Sequence, residues 1–136
     1  MATSKVTYLG DLRTSSVHLQ SGTEILSDAP VDNNGRGEAF SPTDTVANAL
    51  ASCMLTIMGI KARDMGVALE GTTAEVTKIM ATEPRRISGI KIVFDFKSDA
   101  DEKSRTILER AAMTCPVYHS LCLLYTSDAA DEGLGG

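Results

Sequence analysis

The stretch over residues 40–59, FSPTDTVANALASCMLTIMG, constrains this chain more than any other. Ser41 is a good N-cap, Pro42 suits the first helical position because it has no N–H to leave unpaired, and Asp44 falls where a capping-box acid sits. From Val46 onward nearly every helical face is apolar or small. Only Thr45, Asn48, Ser52, Thr56, Gly59 and Arg63, spaced three or four apart, form a narrow stripe of other character. A helix that is apolar almost all round is a core helix rather than a surface one. At about 1.5 Å per residue, a helix over 43–63 is roughly 30 Å long, the width of a small domain. The other elements are therefore expected to wrap around it, with Cys53 deep in the core.

The whole chain has 136 residues, 43% of them hydrophobic and 23% charged, which suits one soluble domain with a real core. Its net charge of −5 argues against nucleic acid or an anionic membrane as a partner. No charged n-region precedes a long apolar run, so no signal peptide is expected. Asn48, Ser52, Thr56 and Lys61 interrupt the apolar run, which is expected to be too short and too polar to span a bilayer. The expected location is the cytoplasm. Cys53, Cys115 and Cys122 form no C-x-x-C pair, and His18 and His119 make no zinc-ligand spacing, so neither a metal nor another cofactor is expected. In a reducing compartment a structural disulfide is not expected, whereas a transient catalytic one is compatible with it.

Residues 4–9 and 12–20 alternate, broken by Gly10-Asp11; Ser21-Gly22 is a turn, and 23–26 read as a third strand of a meander. Residues 28–38, rich in Pro, Asp, Asn and Gly, read as a loop. Gly66 is placed to end the core helix as its C′ residue. Residues 67–82 are strand-like, with Gly71 as a bulge or break, and 83–86 form a turn. Ile90, Ile92, Phe94 and Phe96 then alternate with Lys91, Val93 and Asp95 in the cleanest strand pattern of the chain. Ser98 is placed to cap a second helix with Ile107, Leu108, Ala111 and Ala112 on its apolar face. Thr114-Cys115-Pro116 interrupts that helix, and a short helix or turn follows over 116–121. The fold class is α+β. The last residues, 125–136, have no amphipathic period and read as a disordered end.

Two readings of Cys53 stand side by side: a small buried hydrophobe, as free cysteines usually are, or a reactive thiol with a resolving partner. Local physics does not favour Cys53 as the nucleophile. It sits several turns into its helix, beyond the reach of the helix dipole, and would need a cation brought from elsewhere in the fold. Cys115 has the better local setting. It precedes proline, so its backbone is expected to be extended at the N-terminal end of the next turn, where unpaired N–H groups favour a thiolate.

FSPTDTVANALASCMLTIMGIKA, followed about sixty residues later by CPVYHSL, resembles the family of osmotically inducible proteins and organic hydroperoxide reductases (OsmC/Ohr), and the flanking LRTSSVHLQSGTEILSDAPVDNNGRGEAFSPTD is similar to an OsmC-like branch of it. The resemblance covers roughly residues 5–121. It implies an antiparallel sheet around a long buried central helix and a second helix, in an intertwined homodimer with sites at the interface. It also implies a peroxiredoxin-like thiol peroxidase for organic hydroperoxides. Cys53 would attack the peroxide, Cys115 would resolve the sulfenic acid as a disulfide, and a dithiol reductant, a lipoyl-type dithiol being the candidate, would regenerate both. The reductase branch further implies an arginine from the N-terminal strands near the reactive thiol, and Arg13 is the best match. That branch usually has a glutamate ten positions before the first cysteine; here the place is Thr43, followed by Asp44, whose role in capping the helix competes with any role in the site. His119, four residues after Cys115, is a further supporting candidate, set against the ordinary reading of a partly exposed histidine. The family continues past CPVYHSL into a last strand, whereas this chain reads CLLYTSDAADEGLGG. The expected organisation is thus one domain over 1–121 and a non-native or disordered tail over 122–136. The alternative from another class is a non-enzymatic small-molecule or lipid-binding stress-response protein whose cysteines are structural.

Overall fold

Two adjacent residues in the left-handed region, Asp11 (φ 53°) and Leu12 (φ 62°), make the tight turn that starts the N-terminal meander. Positive φ at both central positions gives a turn whose twist matches that of the flanking strands. The computed structural model describes residues 1–97 and 100–124, and side chains as far as 121. The expected cap Ser98 and the expected tail at 125–136 lie outside the described residues. The chain divides into two units, Met1–Val46 and Ala47–Gly136.

The first unit holds β1 (Ser4–Gly10), β2 (Arg13–His18) and β3 (Glu24–Asp28), antiparallel in the order β1-β2-β3. The pairing sets Val6, Ser16 and Ile25 in one row, and Arg13 directly opposite Asp28. The loop that follows contains one short 3-10 turn, Val31–Asn33. Among the described residues, the buried side chains of this unit are all polar: Ser15, Asp28 and Ser41. Its large apolar side chains, Val6, Tyr8, Leu9, Leu12, Leu19, Ile25 and Leu26 among them, stand exposed. The sequence pattern located the strands but did not show that, among the described residues, no apolar side chain of this sheet is fully buried.

Helix α1 (Pro42–Met65, 24 residues) starts in this unit and continues through the second. The capping box forms as the sequence suggests: the Asp44 N–H donates to Ser41 Oγ and the Ser41 N–H to the Asp44 carboxylate, both at 3.0 Å. Gly66 (φ 69°) ends the helix; its N–H donates to the Arg63 carbonyl and that of Val67 to the Ala62 carbonyl, the paired bonds of a Schellman motif.

Two expectations for α1 need correction. Its fully buried residues, Ala47, Leu50, Ala51, Met54, Met58 and Ala62, form one stripe at three- and four-residue spacing, while Val46 and Ile60 are exposed and Cys53, Leu55 and Ile57 only half-buried. One chain covers one face of this helix, not all of it. The helix is also long and apolar enough, by length and composition, to cross a membrane, with a mean hydropathy of 1.4 over its best window. Single uncharged polar residues such as Asn48, Ser52 and Thr56 lower hydropathy too little to prevent that.

In the second unit the stripe meets β4 (Thr73–Ala81) and β5 (Arg86–Asp95), an antiparallel pair, and α2 (Glu102–Ala112), all contributing to one core cluster. Gly71 (φ 87°) lies in the loop before β4 rather than within a strand. The register shifts between Ile79 and Met80, so that Ile79 pairs with Gly89 and Met80 with Ile87, and Ser88 is the extra residue. A bulge reverses the alternation beyond it. Ile87 is therefore buried along with Ile90 and Ile92, although three positions separate it from Ile90. Helix α2 is capped by Asp101, whose carboxylate accepts from the Ser104 N–H at 2.8 Å. Its apolar face buries Leu108 and Ala112. After the break at 113–115 comes α3 (Pro116–Leu124).

Leu108 has no exposed surface and lies in the core cluster, whereas Val93 on β5 is 52% exposed. Leu108→Ala is expected to lower unfolding stability in urea by about 2–5 kcal/mol, and Val93→Ala by less than about 1 kcal/mol. Equal losses would mean that the core is not where this packing puts it.

Candidate active site

Cys115 is the last residue before α3, and three of its surroundings decide its chemistry. Its backbone carbonyl accepts from the His119 N–H at 3.2 Å, which opens the helix. Its sulfur accepts from the Tyr118 N–H at 3.3 Å. Its side chain is wholly enclosed by the core, with 0% exposure. Burial pushes the thiol up from its ordinary value, and the neighbouring Cys53 thiol pushes it up further through hydrogen bonding and charge. The Tyr118 and Val117 N–H groups pull it down but do not outweigh this. The N-terminal position predicted from Cys115-Pro116 is therefore real, but desolvation of the charged form wins over it. Cys115 keeps its proton.

Cys53 is half-buried on α1 and packs against the same core cluster that encloses Cys115. The expectation that it lies deep in the core is corrected: it sits one position before Met54, off the centre of the buried stripe. Both cysteines are free thiols. One lies on α1 and the other just before α3, far apart in sequence, and the fold brings both to one core cluster, where Cys53 acts on the Cys115 thiol.

Arg13 belongs to the N-terminal unit, and its partners there are carboxylates. Its guanidinium donates two hydrogen bonds to Asp28, from Nε at 2.7 Å and from Nη2 at 2.8 Å, and lies 3.7 Å from Glu38. The Asp28 side chain has no exposed surface, and one of its oxygens also accepts from the Glu38 N–H at 3.3 Å. The Arg13 guanidinium holds the Asp28 carboxyl below its ordinary value, against the burial that would raise it. Asp28 and Glu38 were missed in the sequence, where they are merely the ends of a loop. The one available signal, that β3 ends on an acid facing a basic residue of β2, appears only once the register is known.

The supporting candidates fall elsewhere. Asp44 closes the capping box, and the Thr43 hydroxyl lies 3.3 Å from Ser41 Oγ in the same first turn of α1. His119 is linked to Cys115 through its main-chain N–H, while its exposed ring meets Tyr118 edge-on at 5.7 Å. Among the described residues no cluster of His, Cys, Asp and Glu is arranged to hold a metal ion.

A long helix carrying one thiol, set against a second thiol at a helix start in a mixed α and antiparallel β framework, defines an OsmC-type fold. The chain matches the OsmC-like protein family over residues 35–123, and it belongs to that family. No curated protein sequence matches it. Among solved structures it is similar to a protein of Psychrobacter arcticus 273-4, named provisionally as an osmotic stress induced and detoxification response protein, with 62% identity, 88% of each chain covered and a TM-score of 0.86. An OsmC-like protein from Mycoplasma pneumoniae shares 17% identity over 87% of this chain and 84% of its own, with a TM-score of 0.72. The organic hydroperoxide resistance protein OhrB of Bacillus subtilis shares 17% identity over 98% of this chain and 94% of its own, with a TM-score of 0.57. At those last two identities the likeness is one of fold.

The Arg13–Asp28 pair gives a test with a definite sign. Because the folded Asp28 carboxyl lies below its unfolded value, the unfolded chain takes up the proton first as pH falls. The stability contributed by the pair is present above about pH 4 and is lost as pH falls through the lower folded value. Asp28→Asn should therefore flatten the acid-side fall of the melting temperature. Arg13→Ala strands a buried carboxylate and should lower the melting temperature by several degrees at pH 7, with part of that recovered in the double variant Arg13→Ala/Asp28→Asn. A double variant no better than Arg13→Ala alone would show that the pair is not coupled.

Proposed function

We propose that this protein is a cysteine-based peroxidase for organic hydroperoxides, with Cys53 as the attacking thiol and Cys115 as the resolving one. The observation that carries this reading is the gathering of two free thiols, one half-buried on α1 and one fully buried just before α3, at one core cluster where Cys53 acts on the Cys115 thiol. A structural role asks only that each sulfur be buried. A resolving role asks that they be neighbours. The names of the relatives, detoxification response for the Psychrobacter arcticus protein and organic hydroperoxide resistance for the Bacillus subtilis one, point the same way.

In this reading the Cys53 thiolate attacks the terminal oxygen of ROOH. The O–O bond breaks, RO⁻ leaves and is protonated to the alcohol, and Cys53 becomes a sulfenic acid. The Cys115 sulfur then attacks the Cys53 sulfur, and hydroxide leaves with the Cys115 proton as water. A dithiol reductant, for which a lipoyl-type dithiol is the candidate, returns both thiols and is itself oxidised to a disulfide. Half-burial suits Cys53 to meet a substrate, and full burial suits Cys115 to wait for the sulfenic acid. Arg13 is the cation that the family pattern assigns to the thiolate. Thr43 offers no carboxylate to orient it; within its own unit Arg13 is held by Asp28 through two short hydrogen bonds. The cytoplasm, which keeps thiols reduced, suits this cycle.

The assembly proposed is a homodimer. The N-terminal sheet leaves Val6, Tyr8 and Ile25 exposed, and α1 leaves Ile60 exposed, surfaces that a second copy would cover. Sedimentation should give twice the 14.4 kDa chain mass, and a monomer would remove this part of the reading.

A second reading, a small-molecule binder, is favoured by a cleft of about 390 Å³ floored by Met54, Ile90, Ile92 and Phe94 and flanked by Ala112 and Met113. Neither cysteine lines it, and Thr106, Glu109 and Arg110 at its side would offer a ligand polar contacts. Thiol counting separates the two. A slight excess of alkyl hydroperoxide should consume two thiols per chain and one hydroperoxide. Cys53→Ser should form no sulfenic acid, and Cys115→Ser should accumulate it and then overoxidise. An unchanged thiol count would favour the binder, and sulfenic acid formed at Cys115 in Cys53→Ser at the wild-type rate would exchange the two roles.

A further inference from the structure

The cleft beside α2 and β5 has two unlike sides, and it lies wholly within the second unit. One side is apolar: Met54 of α1 and Ile90, Ile92 and Phe94 of β5. Met54, Ile90 and Ile92 are buried, so this side is a finished part of the core and not a loose surface patch. The other side is polar and comes from α2 alone. Glu109 and Arg110 follow Thr106 by three and four positions, which sets both one turn further along the face that Thr106 occupies. All three are exposed at the mouth. Among the described residues neither Glu109 nor Arg110 is in a salt bridge. The Thr106 hydroxyl donates to the Glu102 carbonyl at 3.0 Å, which leaves its oxygen free to accept.

We propose that this cleft binds a neutral alcohol: an apolar chain lying on Met54, Ile90, Ile92 and Phe94, ended by one hydroxyl at the Glu109 and Arg110 side chains. The volume of about 390 Å³ suits a small ligand, since ligand cavities run from roughly 300 to 1,000 Å³. The head group decides the class. The polar side carries one acid and one base on consecutive residues, and so has no net charge. A carboxylate head would be drawn to Arg110 and repelled by Glu109, and an ammonium head the reverse. Either would give up hydration for opposing Coulomb effects of similar size. A hydroxyl has no charge to desolvate; it donates to the Glu109 carboxylate and accepts from the Arg110 guanidinium. The proposal rests on the reading of this cleft as a small-molecule site. It does not rest on the thiols, because neither cysteine lines the cleft.

Isotope-labelled methionine methyl groups give the test a probe inside the cleft, because Met54 and Met113 line it while Met65 and Met80 do not. The full chain is titrated at neutral pH with n-octanol, octanoate and octylammonium, and the methyl signals are followed by NMR. The Met54 and Met113 signals should move, and n-octanol should bind about three- to tenfold more tightly than either charged analogue. Each methylene removed from the alcohol should weaken binding about fourfold. Glu109→Gln should narrow the gap for octanoate only, and Arg110→Gln the gap for octylammonium only; both changes are exposed and leave the core as it is. Thr106→Trp fills the mouth from the same face and should abolish the n-octanol shifts. Octanoate or octylammonium binding as tightly as n-octanol, or more so, would overturn the proposal and leave the cleft a small-molecule site of another class. No movement of the Met54 and Met113 signals with any of the three would overturn both. Movement that follows protein concentration instead of ligand would make a second copy the occupant, and would overturn the proposal too.

Discussion

The packing of one stripe of α1 against β5 and α2 is the constraint on which the rest depends. Ala47, Ala51 and Ala62 are small enough to let neighbours approach, and Leu50, Met54 and Met58 fill the space between them. The stripe fixes the rotation of the helix about its axis. That rotation puts Met54 in the centre of the core and Cys53, one position earlier, at its margin. The bulge at Ser88 serves the same packing from the other side by turning Ile87 inward with Ile90 and Ile92. Methionine at two of the central positions suits an irregular space.

Cys115 shows how two elementary effects compete at one atom. A helix start stabilises a thiolate through backbone N–H groups, and an apolar enclosure destabilises it by desolvation. Here the N–H groups of Tyr118 and Val117 act on the sulfur, yet the thiol keeps its proton because desolvation of the anion by burial outweighs them. A thiol so placed is a poor first nucleophile, which supports the resolving role proposed for it and reverses what the position of Cys115 beside Pro116 suggests in isolation.

The N-terminal unit follows a different physical logic. Its buried side chains are polar, and Asp28 is held by Arg13, by the Glu38 N–H and by its place opposite Arg13 in the sheet. A three-stranded sheet with exposed Val6, Tyr8 and Ile25 has little apolar burial of its own to offset the entropy of ordering it. The buried ion pair supplies a fixed geometry instead, and it determines which carboxylate an arginine in this chain meets.

Much of the local chemistry was legible in the sequence. The Ser41–Asp44 capping box, Gly66 in the left-handed conformation at the end of α1, the alternation of Ile90, Ile92 and Phe94, and the break at Cys115-Pro116 all depend on residues within a few positions of one another. The two cysteine contexts, taken together, also pointed to the family. What lay beyond reach were relations between distant residues. The partner of Arg13 depends on strand register, the inward turn of Ile87 on a bulge, and the exposed faces of α1 on how much one chain can cover. The order of proton affinity at Cys115 depends on how completely the core closes over it. Capping, turn and pattern signals are short-range and survive in any fold. Desolvation and pairing are set by what the tertiary structure brings near, and only the fold decided those.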